Sequence, residues 1–445
     1  MNDEKLIPKL RFAGFEEEWN SYFLEDVIKS FVNGQTPSRN VDSYWNGEIP
    51  WVSSGELNYN HITSTIEQIT EEGKGKANLK LLPAGTFLMA ITGLEAAGTR
   101  GSCAILDIEA TTNQSCMALF PKEDKLTTKF LYYWYLKVGE HYGIKYTQGT
   151  KQQSYNKELL EKLPIVIPDN LKEQDKITDC LSLLHFKIEL LEKKYKSYVD
   201  FKKYLMQQIF AQKLRFAEDD SEWQEITLKD IGTFYRGHSY SSSNVVDDGL
   251  LVLRSNNIKN NVLDFSEDGL QFVNKDCKKE LELQKNDIVI CMSNGTRRLV
   301  GKSAEYIGNY PSKLTVGAFC SIFRTNNKLA KYLFQTESYK KNLYLILAGT
   351  NINNLKNSDL EKFKFNMPTN ESEINKIHDL FTSIDCKIDS NQKQLQEIIL
   401  FKKGLLQQMF VCWIKLIKKF KAFQMKDAMK MFKKNRYCKK MFVIF

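Results

Sequence analysis

The stretch NGTRRLVGKS, Asn294 to Ser303, gathers two glycines, two arginines and a lysine within ten residues, which is the chemistry of a loop that cradles phosphate. Its spacing argues otherwise: Gly295 and Gly301 enclose five residues where a phosphate-binding loop encloses four, so the stretch reads as a turn between strands. Gly93, Gly98 and Gly101 in ITGLEAAGTRGS occupy the same place in the first half of the chain, as a shared structural loop would. The five histidines, His61, His141, His185, His238 and His378, are scattered without partners, and no triad follows from their spacing. The nine cysteines form no CxxC pair and sit near no clustered histidines, which speaks against both a disulfide framework and a zinc site. All nine prolines are isolated, so the (Asp/Asn)-Pro-Pro-aromatic motif with which amino-methyltransferases hold a flipped base is missing. The aromatic run YYWYL, Tyr132 to Leu136, has the ring faces to stack on bases but reads as the buried side of a helix.

Composition sets the frame for these elements. A chain of 445 residues with 42% hydrophobic content has apolar material for two or three domains. No apolar run approaches the roughly 18 residues needed to span a bilayer, and MNDEKLIPKL lacks a signal-peptide layout, so the expected location is cytoplasmic, away from membranes. The net charge of +9 is local: residues 412–445 hold eleven Lys or Arg against one acid, which leaves the first 411 residues near neutrality. This basic appendage has the lysines and aromatics of an amphipathic surface segment and equally the look of an extension by frameshift or readthrough.

The chain repeats itself. FKKYLMQQIF, Phe201 to Phe210, returns as FKKGLLQQMF, Phe401 to Phe410, and KLRFA at Lys9 returns at Lys213. A period near 200 residues is too long for a solenoid unit, so whole modules are duplicated. Each copy opens with short β-branched and aromatic runs (TFLMAIT and CMALF, then DIVICM and CSIF) separated by turn-rich stretches, the pattern of an irregular α+β globule. After Pro168 the apolar positions Ile177, Leu181, Leu184, Ile188, Leu191, Tyr195 and Tyr198 fall at heptad spacing, and Leu205 resumes the series after Lys202 interrupts it. After Pro368 the same seam recurs at Ile377, Phe381, Ile384, Ile388, Asn391, Leu395, Ile398 and Leu405. The first seam would extend about 43 Å at about 1.5 Å per residue, longer than a bundle helix of a small domain needs. The predicted arrangement is an antiparallel pair of long helices with one globule at each end, and Asn391 reads either as a register-fixing seam residue or as a solvated edge.

A duplicated chain of globule, proline and heptad helix, lacking catalytic motifs of its own, resembles the specificity subunit of a type I restriction-modification system over residues 5–411. The residues that carry the resemblance are the two KLRFA segments, IVIP followed by KEQDKI, the QGT and AGT loops at Gln148 and Ala348, and the twin FKK phrase. The second copy departs from the first where Ile374 replaces Gln174, which puts one cap or hinge contact in question. The resemblance implies an α+β fold in which two target recognition domains are separated by two long helices pairing as an antiparallel coiled coil. The expected segments are 1–168 and 213–368 for the recognition domains, 169–212 and 369–411 for the helices, and 412–445 for the appendage. It further implies a non-catalytic chain that binds double-stranded DNA, two methyltransferase subunits and restriction subunits. S-adenosylmethionine, ATP and magnesium would then sit on those partners, and this chain would hold no cofactor or metal.

Reading bases in the major groove needs paired donors and acceptors, chiefly from Arg, Lys, Asn and Gln. The candidates are Thr92, Arg100, Gln148, Thr150, Lys151, Gln152 and Gln153 in the first head, and Asn294, Thr296, Arg297, Arg298, Lys302, Asn351, Asn353 and Asn354 in the second. Loop composition alone would also supply such residues for turn formation. For the partner-binding helices the candidates are Ile177, Leu184, Ile188, Leu205, Ile377, Ile384, Ile388 and Leu405. Two further readings stay open: a coiled-coil scaffold for proteins alone, and a self-contained methylating and restricting enzyme, the latter disfavoured by the missing motif.

Overall fold

The computed structural model describes residues 5–94, 99–147, 153–216, 221–348 and 353–411. Two compact units result, one from Met1–Leu191 with Gln394–Phe445 and the other from Glu192–Lys393. They cut across the sequential segments expected above, because each takes the first half of one long helix and the second half of the other.

In the first unit, strands β1 (Asn20–Phe23), β2 (Ile28–Asn33), β3 (Asn60–Ile62), β4 (Phe87–Ala90), β5 (Cys103–Leu106) and β6 (Cys116–Pro121) precede helix α1 (Thr128–Lys145), strand β7 (Pro164–Ile167) and the long helix α2 (Leu171–Phe210). A five-stranded sheet runs in the order β2-β6-β4-β5-β3, antiparallel except for β3 beside β5. Every residue of β4 and β5 is buried, which fits their uninterrupted apolar sequence. The Thr127 hydroxyl caps α1 by accepting from the Phe130 N–H, and the helix packs on β4 and β5. Tyr132, Tyr133, Trp134 and Tyr135 are all buried there, so the YYWYL run is core.

The second unit repeats the plan with β8 (Trp223–Thr227), β9 (Thr233–Arg236), β10 (Ile288–Cys291), β11 (Ser303–Glu305), β12 (Cys320–Arg324), α3 (Glu337–Ala348), β13 (Lys364–Pro368) and the long helix α4 (Glu371–Met409). Its main sheet, β9-β12-β10-β11, is antiparallel throughout. In both units the first and last strands of the head, β1 with β7 and β8 with β13, form a separate antiparallel ribbon just before the long helix begins.

Each unit joins the start of one long helix to the end of the other. Ile177 and Leu181 of α2 share a buried cluster with Met409 of α4 and the adjoining Phe410, while Leu205, Met206 and Ile209 of α2 share one with Ile377, Phe381 and Ile384 of α4. A buried glutamate locks each junction. Glu173 accepts from the Arg11 guanidinium at 2.7 and 2.8 Å and from the Trp19 indole N–H at 3.2 Å. Glu373 accepts from Arg215 at 3.0 and 2.9 Å and from Trp223 at 3.1 Å. The repeated KLRFA and Glu-Trp pairs therefore serve one purpose, to deliver an arginine and an indole to the first turn of a long helix. The departure at Ile374 has a structural counterpart: the Gln174 amide donates to the Lys125 and Pro168 carbonyls and accepts from the Thr127 N–H, whereas Ile374 packs against the second core.

Candidate nucleic-acid interface

Residues far apart in sequence meet on one loop platform in each head. In the first, the Ile91 N–H donates to the Ser115 carbonyl, the Tyr155 N–H to the Ile91 carbonyl and the Leu94 N–H to the Gln153 carbonyl, while Thr92 forms a bridge with Ser154. The loop after β4, the turn before β6 and the segment after α1 are thus knitted together. In the second, the Met292 N–H donates to the Phe319 carbonyl, the Leu355 N–H to the Met292 carbonyl and the Asn294 N–H to the Asn353 carbonyl, and Ser293 bridges Asn354. The same three connections recur with different side chains.

Two glycines explain why the loops return as they do. Gly101 and Gly301 adopt φ of +78° and +81°, a left-handed conformation in which a side chain is strained. A Cβ on Gly101 would lie 2.6 Å from the Glu140 backbone nitrogen, and one on Gly301 2.3 Å from Leu343 Cδ1. The Gly301 carbonyl accepts from the buried Tyr339 hydroxyl at 2.8 Å. NGTRRLVGKS is therefore a turn anchored to a helix.

The predicted base-reading residues divide by exposure. Thr296, Arg297, Arg298 and Asn354 are exposed, the two arginines on a single 3₁₀ turn. Asn294, Lys302 and Asn353 are half-buried and shape the loop. Asn294 donates to the Ser255 hydroxyl at 3.1 Å and accepts from the Thr296 N–H, Lys302 donates to the Ile258 carbonyl at 2.9 Å, and Asn353 donates to the Gly295 carbonyl at 3.2 Å. In the first head Thr92, Arg100 and Gln153 are half-buried at the platform, and Tyr59 donates to the Arg100 carbonyl. Gln148, Thr150, Lys151, Gln152 and Asn351 lie outside the described residues.

The structure also brings forward residues that sequence reasoning missed. Matching four-residue turns, Asn113–Cys116 and Gly317–Cys320, each close with the cysteine N–H donating to the first carbonyl. The first turn exposes Gln114, which accepts from the Thr36 hydroxyl, and the second exposes Phe319. The signal was an aromatic where turns favour Gly, Asn or Ser. In the first head the Arg39 guanidinium stacks 3.7 Å over the Trp45 ring while pairing with Glu67. Among the described residues no cluster of His, Cys, Asp and Glu could hold a metal ion, and no helix is long and apolar enough to cross a membrane.

Two expectations need correction. The histidines are not all without partners: His61 pairs with Asp107 at 2.9 Å, its ring lies 5.9 Å from that of His185, and His185 accepts from the Lys402 ammonium at 3.1 Å. Burial and the neighbouring Lys402 hold the His185 pKa below its ordinary value, with His61 adding and Glu189 opposing. The helix positions assigned to partner binding are occupied within the chain. Ile177, Ile188, Leu205, Ile377 and Ile384 are buried, and Leu184, Ile388 and Leu405 are half-buried. A heptad seam is filled by its own packing. Phe201 and Phe401, the first residues of the twin phrase, are 50% and 57% exposed.

The Type I restriction modification DNA specificity domain matches residues 16–197 and again 220–400. The MjaIX type I restriction enzyme specificity subunit of Methanocaldococcus jannaschii is 25% identical over 88% of this chain and 93% of its own length. The StySPI specificity subunit of Salmonella potsdam is 29% identical over 40% of this chain, a match that spans 39% of that protein. The crystal structure of the type I restriction-modification system S subunit from M. genitalium superposes with a TM-score of 0.62 at 18% identity, covering 91% of this chain and 99% of that one, which shows a shared fold. With the family domain matched twice, once in each copy of the internal repeat, the chain belongs to the type I restriction-modification DNA specificity family.

Proposed function

We propose that this chain is the non-catalytic subunit that reads a bipartite DNA target and directs adenine methylation and restriction by partner subunits. The observation that carries the reading is the loop platform, built by the same backbone connections in both heads and furnished with different side chains. A conserved frame with changed contents is what reading two different half-sites requires. The exposed Thr296, Arg297, Arg298 and Asn354 are the direct readers of the second head, with Asn294, Lys302, Asn351 and Asn353 behind or beside them. Thr92, Arg100, Gln148, Thr150, Lys151, Gln152 and Gln153 serve the first. Arginine and asparagine offer bidentate contacts to guanine and adenine edges.

The two long helices pair antiparallel as a coiled coil, a reading supported within each unit by the start of one helix sharing a core with the end of the other. Phe201 and Phe401, with the residues that follow them, give two like surfaces for two identical methyltransferase subunits. Those partners carry S-adenosylmethionine, the restriction subunits bring ATP and magnesium, and this chain carries no cofactor, acting in the cytoplasm.

The test is a map of methylated adenines in DNA from cells that express the chain with its methyltransferase partner. An interrupted two-part site is expected, and exchange of residues 213–368 for another head should change one part only. Random methylation, or methyl transfer by the purified chain alone, would overturn the proposal. Removing one matched heptad from each helix shortens the pair by about 10 Å, so the unread gap should shrink by roughly three base pairs at about 3.4 Å each while both half-sites persist.

A further inference from the structure

We propose that Phe319 reads a thymine methyl group in the half-site recognised by the second head, an inference that rests on the DNA-reading function proposed above. Phe319 is the third residue of the turn Gly317–Cys320 and is 70% exposed. A ring in that position gains nothing from burial in the fold, and turns ordinarily place small or polar residues there. Its backbone is nevertheless held firmly. The Phe319 carbonyl accepts from both the Met292 N–H at 2.8 Å and the Ser293 N–H at 3.2 Å, and the turn closes with the Cys320 N–H on the Gly317 carbonyl at 2.8 Å.

Those bonds seat the residue beside the second platform, its carbonyl on the N–H of Ser293, which bridges exposed Asn354 and leads into Asn294 and Arg297. Around it stand donors and acceptors suited to base edges. An apolar side chain among them meets the one apolar group a base presents in the major groove, the C5-methyl of thymine. The corresponding residue of the first head, third in the turn Asn113–Cys116 and with its carbonyl accepting from the Ile91 N–H as that of Phe319 accepts from Met292, is Ser115, a small half-buried hydroxyl. The two heads thus differ in kind at one structurally equivalent position, as readers of different half-sites would.

The experiment uses the full chain assembled with its methyltransferase subunits and duplexes carrying the mapped site. Each thymine is replaced in turn by deoxyuridine, which removes the methyl and leaves the hydrogen-bonding edge intact. A half-site that contains a methylated adenine holds at least one thymine opposite it, so a probe position always exists. At one thymine of the second head's half-site, binding should weaken about fourfold, the worth of one buried methyl-sized group. Phe319→Ala should lose the same factor on the thymine duplex and show no further loss with uracil, while Phe319→Leu should retain sensitivity. Methylation at the other half-site reports that each variant is folded.

Sensitivity to uracil nowhere in that half-site, or sensitivity unchanged in Phe319→Ala, would overturn the proposal while leaving the specificity function intact. So would a 2-aminopurine signal that brightens at a neighbouring step only with Phe319 present and without any uracil effect, because the ring would then be a wedge between bases. Failure of the assembled complex to prefer any duplex would overturn this inference and the proposed function together.

Discussion

Glu173 and Glu373 hold the same donors in the two units, whereas Lys402 and Lys202 meet different partners. In the second unit the Lys202 ammonium lies 2.7 Å from Asp385 and donates to Gln335, beneath the Tyr332 ring. At the corresponding place in the first unit Lys402 donates to His185, with Tyr133 at the same side. An opposite charge has become a titratable base. Duplication held constant the latch that joins head to helix, while the polar contacts about three turns further along have drifted. Burial, the leading cause, holds the Lys402 pKa below its ordinary value, with Glu189 opposing.

The largest expected effect breaks the conserved half of this comparison. Glu173 and Glu373 are 1% and 0% exposed, so replacing either with alanine takes the acceptor from a half-buried guanidinium and from an indole donor. Each substitution should destabilise its unit by about 3 kcal/mol, measured by denaturant melts. Similar losses would show equivalent latches; a much smaller loss for Glu173→Ala would show that Arg11, carried on the N-terminal segment, contributes less than Arg215.

Asn391 offers a change of opposite sign. It is 4% exposed and neither its amide nitrogen nor its oxygen finds a hydrogen-bond partner, while the first copy places Leu191 there. The buried site excludes the solvated-edge reading. Asn391→Leu should therefore raise stability by about 1–3 kcal/mol, read as a higher denaturant midpoint. Heterogeneous association of the variant would add that the asparagine specifies helix register.

The paired glycines separate two kinds of crowding. Gly101→Ala meets backbone and Gly301→Ala meets the end of a leucine side chain that can turn aside. Both carry left-handed strain of about 1–3 kcal/mol, and the first should be the costlier. Equal melting shifts would mean that strain, not contact, dominates at both.

The smallest effect concerns pH. Because His185 titrates lower in the folded than in the unfolded chain, its contribution is intact above about 6.5 and fades as pH falls through the depressed folded value. Between pH 7.5 and 5.5 the first unit should lose stability, and His185→Asp, which copies Asp385, should remove that part of the loss. An unchanged pH profile in His185→Asp would assign the sensitivity elsewhere.

Local pattern was enough for some of this. Heptad spacing from Ile177 and Ile377 located both long helices because a helix repeats its faces every three or four residues, and the glycines of ITGLEAAGTRGS and NGTRRLVGKS announced turns because few other residues adopt positive φ. The repeat of KLRFA and Glu-Trp showed that something was kept, but not that an arginine and an indole converge on Glu173 across more than 150 residues. Nor does a seam state what fills it: of the helix positions chosen for partner binding, Ile177, Ile188, Leu205, Ile377 and Ile384 are buried, and Leu184, Ile388 and Leu405 are half-buried. His61 meeting His185, Thr92 bridging Ser154 and the exposure of Phe319 were decided by packing alone. The duplication, the helices and the turns were legible because they depend on neighbours along the chain; which side chains share a surface was left to packing, since contacts between distant segments leave no period to read.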